Sequence, residues 1–235
     1  MEPRCLFSYY GSKSKVIKHY PAPKHDLLIE PFAGGGCYSL QHSDRQVWLN
    51  ELNADVFTLW DYLIRTDPNE VITRVPRVVK KGDNAIDLAG SGAAPGLLML
   101  IKANVNMGTL GSRGNHTVVT QFAEIKWHQV HPRLERFLPR IRHWKITNLD
   151  YVSLPNEKAT WFVDPPYSGD AGRRYALNRV DFSSLGDWCR GRNGQTIVCE
   201  NAGANWLPFG DLVAGMPRGG VRRQMEAIWT QDRLA

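Results

Sequence analysis

Short apolar runs, punctuated by turn residues and separated by helical stretches, recur along this chain. That alternation is typical of an α/β fold with a mainly parallel sheet. It predicts strands over residues 26–30, 46–51, 144–147, 160–163 and 195–199. A last pair of runs, near 211–214 and 225–230, predicts an antiparallel hairpin at the sheet edge.

Helical periodicity is clearest over residues 53–65, where the apolar side chains share one face and Asn53 can cap the first turn. Further helices are predicted over residues 70–79, 97–105 and 133–143, around a glycine-rich segment at 106–115. The stretch from 69 to 143 therefore indicates an insertion between sheet strands.

Size and hydropathy exclude several classes of protein. A chain of 235 residues with 43% apolar content can bury a large interior, so a small disulfide-stapled scaffold is excluded. The longest stretch without a charge, residues 88–101, is too short and too rich in glycine to span a bilayer. No signal-peptide pattern begins the sequence, so we expect no membrane association and a cytoplasmic location.

Four cysteines, Cys5, Cys37, Cys189 and Cys199, have no Cys-x-x-Cys spacing and no paired histidine motif. They are predicted to be reduced and mostly buried thiols, and no metal is expected.

Positive charge is concentrated in one central segment. Between Lys102 and Lys145 there are eight basic residues and two acidic ones, while the rest of the chain balances at 21 against 21. The whole net charge of +6 therefore lies in this segment. A polyanion is the expected partner, and a solvated basic face is the alternative.

A glycine turn follows the first predicted strand, in the sequence Glu30-Pro31-Phe32-Ala33-Gly34-Gly35-Gly36. Glycines at such a position let a ligand approach the backbone, although an ordinary tight turn has the same pattern. A nicotinamide fingerprint would need glycine where Ser39 stands. Glu51 comes 17 residues after Gly34, near the spacing at which an acid of a doubly wound sheet binds the ribose of a cofactor. The alternative is an ordinary exposed acid before a helix, where its charge favours the helix dipole.

The strongest motif is Asp164-Pro165-Pro166-Tyr167, directly after the apolar run Trp161-Phe162-Val163. The prolines fix the backbone and leave the acid and the aromatic at the carboxyl end of a strand. Ligands bind at that edge of open α/β sheets, although a plain turn that ends a strand is the alternative.

Taken in order, these motifs resemble those of the Dam-like adenine-specific DNA methyltransferases. The resemblance rests on Tyr9-Tyr10-Gly11-Ser12-Lys13, the glycine turn, Glu51, Asp150-Tyr151 and Asp164-Pro165-Pro166-Tyr167. With the glycine turn first and Asp164 about 130 residues later, a recognition region fits only between them, which is the alpha-type order. The family usually has Asp where this chain has Glu51, and often Trp in place of Tyr9.

The resemblance implies S-adenosylmethionine as the cofactor. The residues that it places around the cofactor are Tyr9, Tyr10, Lys13, Glu30, Phe32, Gly34, Gly36, Glu51, Asp150 and Tyr151. Glu51 would hold the ribose, Lys13 would lie near the methionine end, and Asp150 with Tyr151 would flank the adenine. The catalytic motif would be Asp164, Pro165, Pro166 and Tyr167, with Tyr167 stacking on an adenine turned out of duplex DNA.

The implied fold is a doubly wound, Rossmann-like methyltransferase core over residues 1–68 and 146–235. The inserted, mostly helical region 69–145 would recognise double-stranded DNA. Its phosphate contacts are predicted at Arg113, Lys126, Arg133, Arg136 and Arg140, joined by Arg218, Arg222 and Arg223. Two alternatives stay open: a methyltransferase of similar core that acts on RNA or on a protein amide, and a catalytically silent DNA-binding module.

Overall fold

A sheet of seven strands lies at the centre of the protein. The computed structural model describes residues 5–13, 16–106, 110, 117–168, 180–212 and 226–233. Its strands are β1 (Leu27–Glu30), β2 (Gln46–Asn50), β3 (Lys145–Thr147), β4 (Ala159–Val163), β5 (Gly194–Asn201), β6 (Gly210–Asp211) and β7 (Glu226–Arg233). The first five confirm the predicted strands to within about two residues at each end.

The strand order is β3-β2-β1-β4-β5-β7-β6, with β1 parallel to both β2 and β4. Strand β7 pairs antiparallel with both β5 and β6. The predicted α/β class, mainly parallel sheet and edge hairpin are therefore confirmed. The chain reverses its direction of strand addition between β1 and β4, which makes their carboxyl ends the topological switch point.

Eight α-helices occur among the described residues. They are α1 (Cys37–Gln41), α2 (Ala54–Arg65), α3 (Pro68–Arg74), α4 (Ala85–Ala89), α5 (Pro95–Val105), α6 (Gln121–Lys126), α7 (Val130–Phe137) and α8 (Phe182–Arg190). Asn53 caps α2 as predicted, because its side chain accepts a hydrogen bond from the Asp55 amide at 3.0 Å. No helix among these residues is long and apolar enough to cross a membrane.

Two helices differ from their predicted bounds because of prolines. The helix predicted over 70–79 ends at Arg74, since Pro76 forces Val75 into an extended conformation. The helix predicted over 133–143 instead begins at Val130 and ends at Phe137, followed by a 3-10 turn at Leu138–Arg140 that contains Pro139.

Helices α3 to α7 share one hydrophobic core with the sheet. Leu100 of α5 and Leu134 of α7 are fully buried in the same cluster as Leu28 of β1 and Trp60 of α2. Each such side chain contributes roughly 1.5–3 kcal/mol by leaving water. The central segment therefore packs onto the sheet whose β1 and β4 precede the glycine turn and the Asp164-Pro165-Pro166-Tyr167 motif.

The prediction of four reduced thiols is wrong for one pair, because Cys5 and Cys37 form a disulfide. They are 32 residues apart in sequence, and only the packing of the amino-terminal segment against the start of α1 brings them together. Ser12 Oγ lies 3.2 Å from Cys5 Sγ and 3.1 Å from Cys37 Sγ. Cys189 and Cys199 are free and buried as predicted, and burial raises the pKa of Cys189 to about 12.

Candidate active site

The two strongest motifs of the sequence meet at the switch point of the sheet. The glycine turn follows β1, and Asp164-Pro165-Pro166-Tyr167 follows β4. Because β1 and β4 are parallel neighbours, both motifs lie at the same sheet edge, where α/β proteins bind ligands. Pro165 is buried there, and Asp164, Pro166 and Tyr167 are partly exposed.

The glycine turn is tight and closely packed. Gly34 and Gly36 have φ values of 47° and 56°, in the left-handed region that favours glycine. A Cβ atom at Gly34 would lie 2.6 Å from the ring of Tyr9. Trp60 Nε1 donates a hydrogen bond to the Gly34 carbonyl at 2.9 Å. Tyr9 thus covers this turn. The backbone N–H of the next residue, Tyr10, donates a hydrogen bond to the Leu110 carbonyl at 3.4 Å.

Glu51 joins the glycine turn to the start of α2. Its Oε2 accepts a hydrogen bond from the Gly34 amide at 2.9 Å, and its Oε1 accepts one from the Asn53 amide at 2.9 Å. Burial raises its pKa, and the backbone hydrogen bonds lower it. Each carboxylate oxygen has a second lone pair, so Glu51 can still accept from a ribose hydroxyl.

Glu30 is placed differently from a cofactor ligand. Its carboxylate accepts hydrogen bonds from Ser39 N at 2.8 Å and from Ser39 Oγ at 2.5 Å. The side chain is fully buried, and burial raises its pKa to about 8. Glu30 therefore connects the end of β1 to α1, and Ser39 supplies its partners.

An aromatic pair lies on the other side of β1. The rings of Phe32 and Tyr151 are 5.3 Å apart, and Asp150 accepts a hydrogen bond from the Val152 amide at 3.1 Å.

Asn50, which the sequence analysis missed, donates to the carbonyls of Pro31 at 3.1 Å and Leu149 at 2.9 Å. The only sequence signal for Asn50 is a polar residue that ends an apolar strand.

Lys13 contacts the acid of the Asp164-Pro165-Pro166-Tyr167 motif. Its Nζ lies 3.0 Å from Asp164 Oδ1, 3.0 Å from the Gly11 carbonyl and 4.3 Å from the centre of the Tyr167 ring. The resemblance placed Lys13 near the methionine end of the cofactor, whereas here it pairs with Asp164. The pKa of Asp164 is raised to about 6. Burial is the largest cause, Lys13 opposes it, and the charges of Glu226 and Glu200 add to it.

Two further acids of the site were not predicted from the sequence, the buried Glu200 and the partly exposed Glu226. Glu200, in β5, accepts hydrogen bonds from the Ser168 amide at 3.0 Å and from Trp206 Nε1 at 3.1 Å. Glu226, the first residue of β7, accepts one from Tyr20 Oη at 2.9 Å and another from Tyr167 Oη. The sequence signal for Glu200 is an acid inside an apolar strand. Glu226 has no such signal, because the pairing of β7 with β5 brings it to the site.

The basic residues of the central segment have unequal surroundings. Lys126 and Arg140 are exposed, and Arg133 is half-buried with a hydrogen bond to Gln129 at 3.0 Å. Arg136 is half-buried over the Phe137 ring at 5.3 Å. Lys126 and Arg133 line one pocket, which also includes Ser8 and Phe122.

Part of the central charge serves the fold instead. Arg142 donates to the carbonyls of Thr66 at 2.6 Å and Arg65 at 2.8 Å, so it caps the carboxyl end of α2. The predicted DNA contacts Arg113, Arg218, Arg222 and Arg223 lie outside the described residues. Within the described ranges, no group of three or more His, Cys, Asp and Glu could hold a metal ion.

Comparison with known proteins gives one family. No curated protein matches the chain. Residues 9–87 match the model described as D12 class N6 adenine-specific DNA methyltransferase. This range contains Tyr9, Lys13, the glycine turn and Glu51, and Asp164 lies beyond it. The match confirms that the chain resembles the adenine-specific DNA methyltransferases, a family of enzymes that methylate adenine in DNA.

Proposed function

We propose that this protein transfers a methyl group from S-adenosylmethionine to the exocyclic amino group of adenine in double-stranded DNA, in the cytoplasm. The observation that carries the proposal is the position of Asp164-Pro165-Pro166-Tyr167. The motif lies at the end of β4, next to the glycine turn of β1 and at the switch point of the sheet. The family match on the amino-terminal side supports the same function.

The residues at the sheet edge fit a nucleoside cofactor. The Glu51 carboxylate can accept from ribose hydroxyls, and the Phe32 and Tyr151 rings offer apolar faces to a base. When bound, S-adenosylmethionine supplies an electrophilic methyl group on a sulfonium. In this proposal Glu51 and the glycine turn hold the nucleoside, with Asp150 and Tyr151 beside its adenine.

Asp164 and Pro165 would act on the target base. An adenine amino group is a poor nucleophile because its lone pair is delocalised into the ring. The Asp164 carboxylate and the Pro165 carbonyl can accept hydrogen bonds from its two N–H groups, which draws the nitrogen toward a tetrahedral shape. One of these protons leaves the nitrogen when it gains the methyl group, and the Asp164 carboxylate or solvent can take it up. Since a carboxylate has lone pairs on both oxygens, Asp164 can accept from the substrate while Lys13 holds Oδ1.

This chemistry depends on position and charge, without a covalent enzyme intermediate. Well-oriented groups of this kind can supply roughly 7–11 kcal/mol of a reaction barrier. Tyr167 would stack on the adenine after it leaves the duplex, because chemistry on a paired base is sterically blocked.

The central segment is proposed to recognise the DNA. Its helices are attached to the same core as the active site, so a duplex bound to them would be held at a fixed position relative to Asp164. Lys126, Arg133, Arg136 and Arg140 would contact phosphates, and Arg113, which lies outside the described residues, belongs to the same basic stretch of sequence.

The test is transfer of a tritiated methyl group from S-adenosylmethionine to duplex DNA, RNA and protein. We expect label in duplex DNA for the parent and none for Asp164→Ala, which should still bind the cofactor by calorimetry. Asp187→Asn, which changes an exposed acid on α8, is the matched control and should methylate like the parent.

Three results would contradict the proposal. Label in RNA or protein but not in DNA would indicate the related methyltransferase instead. DNA binding without any cofactor binding would indicate a silent DNA-binding module. A rate near the parent for Asp164→Ala would remove Asp164 from the catalytic role.

A further inference from the structure

Glu226 reaches the site from an element that no motif includes. It begins β7, which pairs with β5 over eight residues, and the register places Glu226 opposite Asn201. Its carbonyl also accepts a hydrogen bond from the Leu212 amide at 2.9 Å. Glu226 is thus held by a paired strand, and its side chain is only 15% exposed.

Three polar groups converge on a single oxygen of Glu226. Oε1 accepts hydrogen bonds from Tyr20 Oη at 2.9 Å and from Tyr167 Oη, and it lies 3.8 Å from Lys13 Nζ. Tyr20 is itself buried and packs edge-on against Phe162 of β4 at 5.2 Å. A carboxylate with these partners fixes where both Lys13 and the Tyr167 hydroxyl lie.

Lys13 is shared between two carboxylates. Its Nζ lies 3.0 Å from Asp164 Oδ1 and 3.8 Å from Glu226 Oε1. A carboxylate that loses a share of its neighbouring cation becomes a better hydrogen-bond acceptor and a stronger base. Without the charge of Glu226, more of the positive charge of Lys13 would act on Asp164.

We propose that Glu226 is a positioning residue for methyl transfer, which holds Lys13 and the Tyr167 hydroxyl beside Asp164 and takes up part of the lysine's charge. The inference rests on the proposed function, since it assigns Glu226 a role in the same site. Glu226 acts through Lys13 and Tyr167 and does not itself have to touch the substrate.

The charged and titratable groups around Asp164 come from five parts of the fold. They are Lys13 and Tyr20 in the amino-terminal segment, Glu30 in β1, Glu200 and Cys199 in β5, Glu226 in β7, and Tyr167 in the motif itself. Among them Lys13 lowers the pKa of Asp164, while Glu226 and Glu200 raise it. Removing the Glu226 charge should therefore lower the pKa of Asp164.

The first test is the pH profile of single-turnover methylation for the parent and Glu226→Gln. Glutamine keeps an oxygen that can accept from Tyr20 and Tyr167 but has no charge. The parent rate should rise as Asp164 ionises near pH 6. For Glu226→Gln we expect this rise at least half a pH unit lower, a plateau rate reduced about tenfold, and an unchanged KM for the cofactor.

Asp232→Asn is the matched control. It removes a carboxylate from the same strand, where Asp232 pairs with Lys24 at 2.6 Å near the surface. This variant should keep the parent profile. If Glu226→Gln had the same pH profile as the parent, the proposal would be overturned. A rate that is lower at every pH but still rises at the same pH as in the parent would also overturn it, because a purely structural role would give that result.

A second measurement does not depend on activity. Carbon-13 NMR of the aspartate carboxyl groups, with Asp164→Asn used to assign the signal, gives the pKa of Asp164 directly. We expect it to fall in Glu226→Gln and to stay unchanged in Asp232→Asn. An equal pKa in the parent and Glu226→Gln would refute the inference, whereas a parent that fails to methylate DNA would refute only the proposed function.

Discussion

Glu30→Gln should stabilise the protein at neutral pH. Burial raises the pKa of Glu30 from an ordinary 4.5 to about 8, so the folded protein retains a proton that the unfolded chain releases. A carboxyl group with a raised pKa in the folded state contributes stability below pH 4.5, and this contribution is lost as the pH rises toward 8. By pH 7 the loss amounts to roughly 3 kcal/mol.

Glutamine has no such proton to lose. Its side-chain oxygen can still accept from the amide and hydroxyl of Ser39, as Glu30 does at 2.8 and 2.5 Å. The free energy of unfolding of Glu30→Gln should therefore fall less between pH 5 and pH 8 than that of the parent. The difference between the two proteins should grow to a few kcal/mol at the upper end.

Urea denaturation followed by tryptophan fluorescence, repeated from pH 5 to pH 8.5, measures this difference. Asp26→Asn is the control, because Asp26 is an exposed acid directly before the same strand and its replacement should keep the parent's pH dependence. If the parent and Glu30→Gln lost stability in parallel across this range, Glu30 would not be the buried carboxyl that connects β1 to α1.

Three further outcomes test the site and its DNA contacts. Replacing Arg133, Arg136 and Arg140 by glutamine should flatten the dependence of DNA affinity on salt by about one unit of slope per lost phosphate contact. If the variant had the same slope as the parent, these arginines would form a solvated helix face. Tyr167→Ala should lose activity, whereas Tyr167→Phe keeps the ring and should keep most of it. A mismatched target adenine should raise the methylation rate of Tyr167→Ala more than that of the parent. An equal increase in both proteins would exclude stacking worth roughly 1–3 kcal/mol. Glu51→Ala should weaken S-adenosylmethionine binding by about 1–3 kcal/mol, and an unchanged Kd in calorimetry would remove Glu51 from the cofactor site.

The sheet and its two turns could be predicted from sequence because their signals are local. Each strand is a short apolar run, and the turns after β1 and β4 carry glycines or prolines whose backbone preferences act at the position itself. The helices were less predictable, since apolar periodicity continues past Arg74 although Pro76 ends α3. A local steric constraint there overrides the periodic pattern.

The long-range contacts could not be predicted. Cys5 and Cys37 meet only because the amino-terminal segment packs against α1, and no spacing rule encodes that approach. Glu226 lies 62 residues beyond Asp164 in sequence and joins it only through the pairing of β5 with β7. Lys13 illustrates the same limit, because a motif gives the residue but not the partner that it contacts.

The most direct test of the whole account is the modification state of DNA in cells that express the protein. Sequencing that detects N6-methyladenine should find it at a recurring sequence in cells with the parent, and should find none with Asp164→Ala expressed at the same level. Absence of methylated adenine with the parent, or equal methylation with both proteins, would contradict the assignment of Asp164 to adenine methylation.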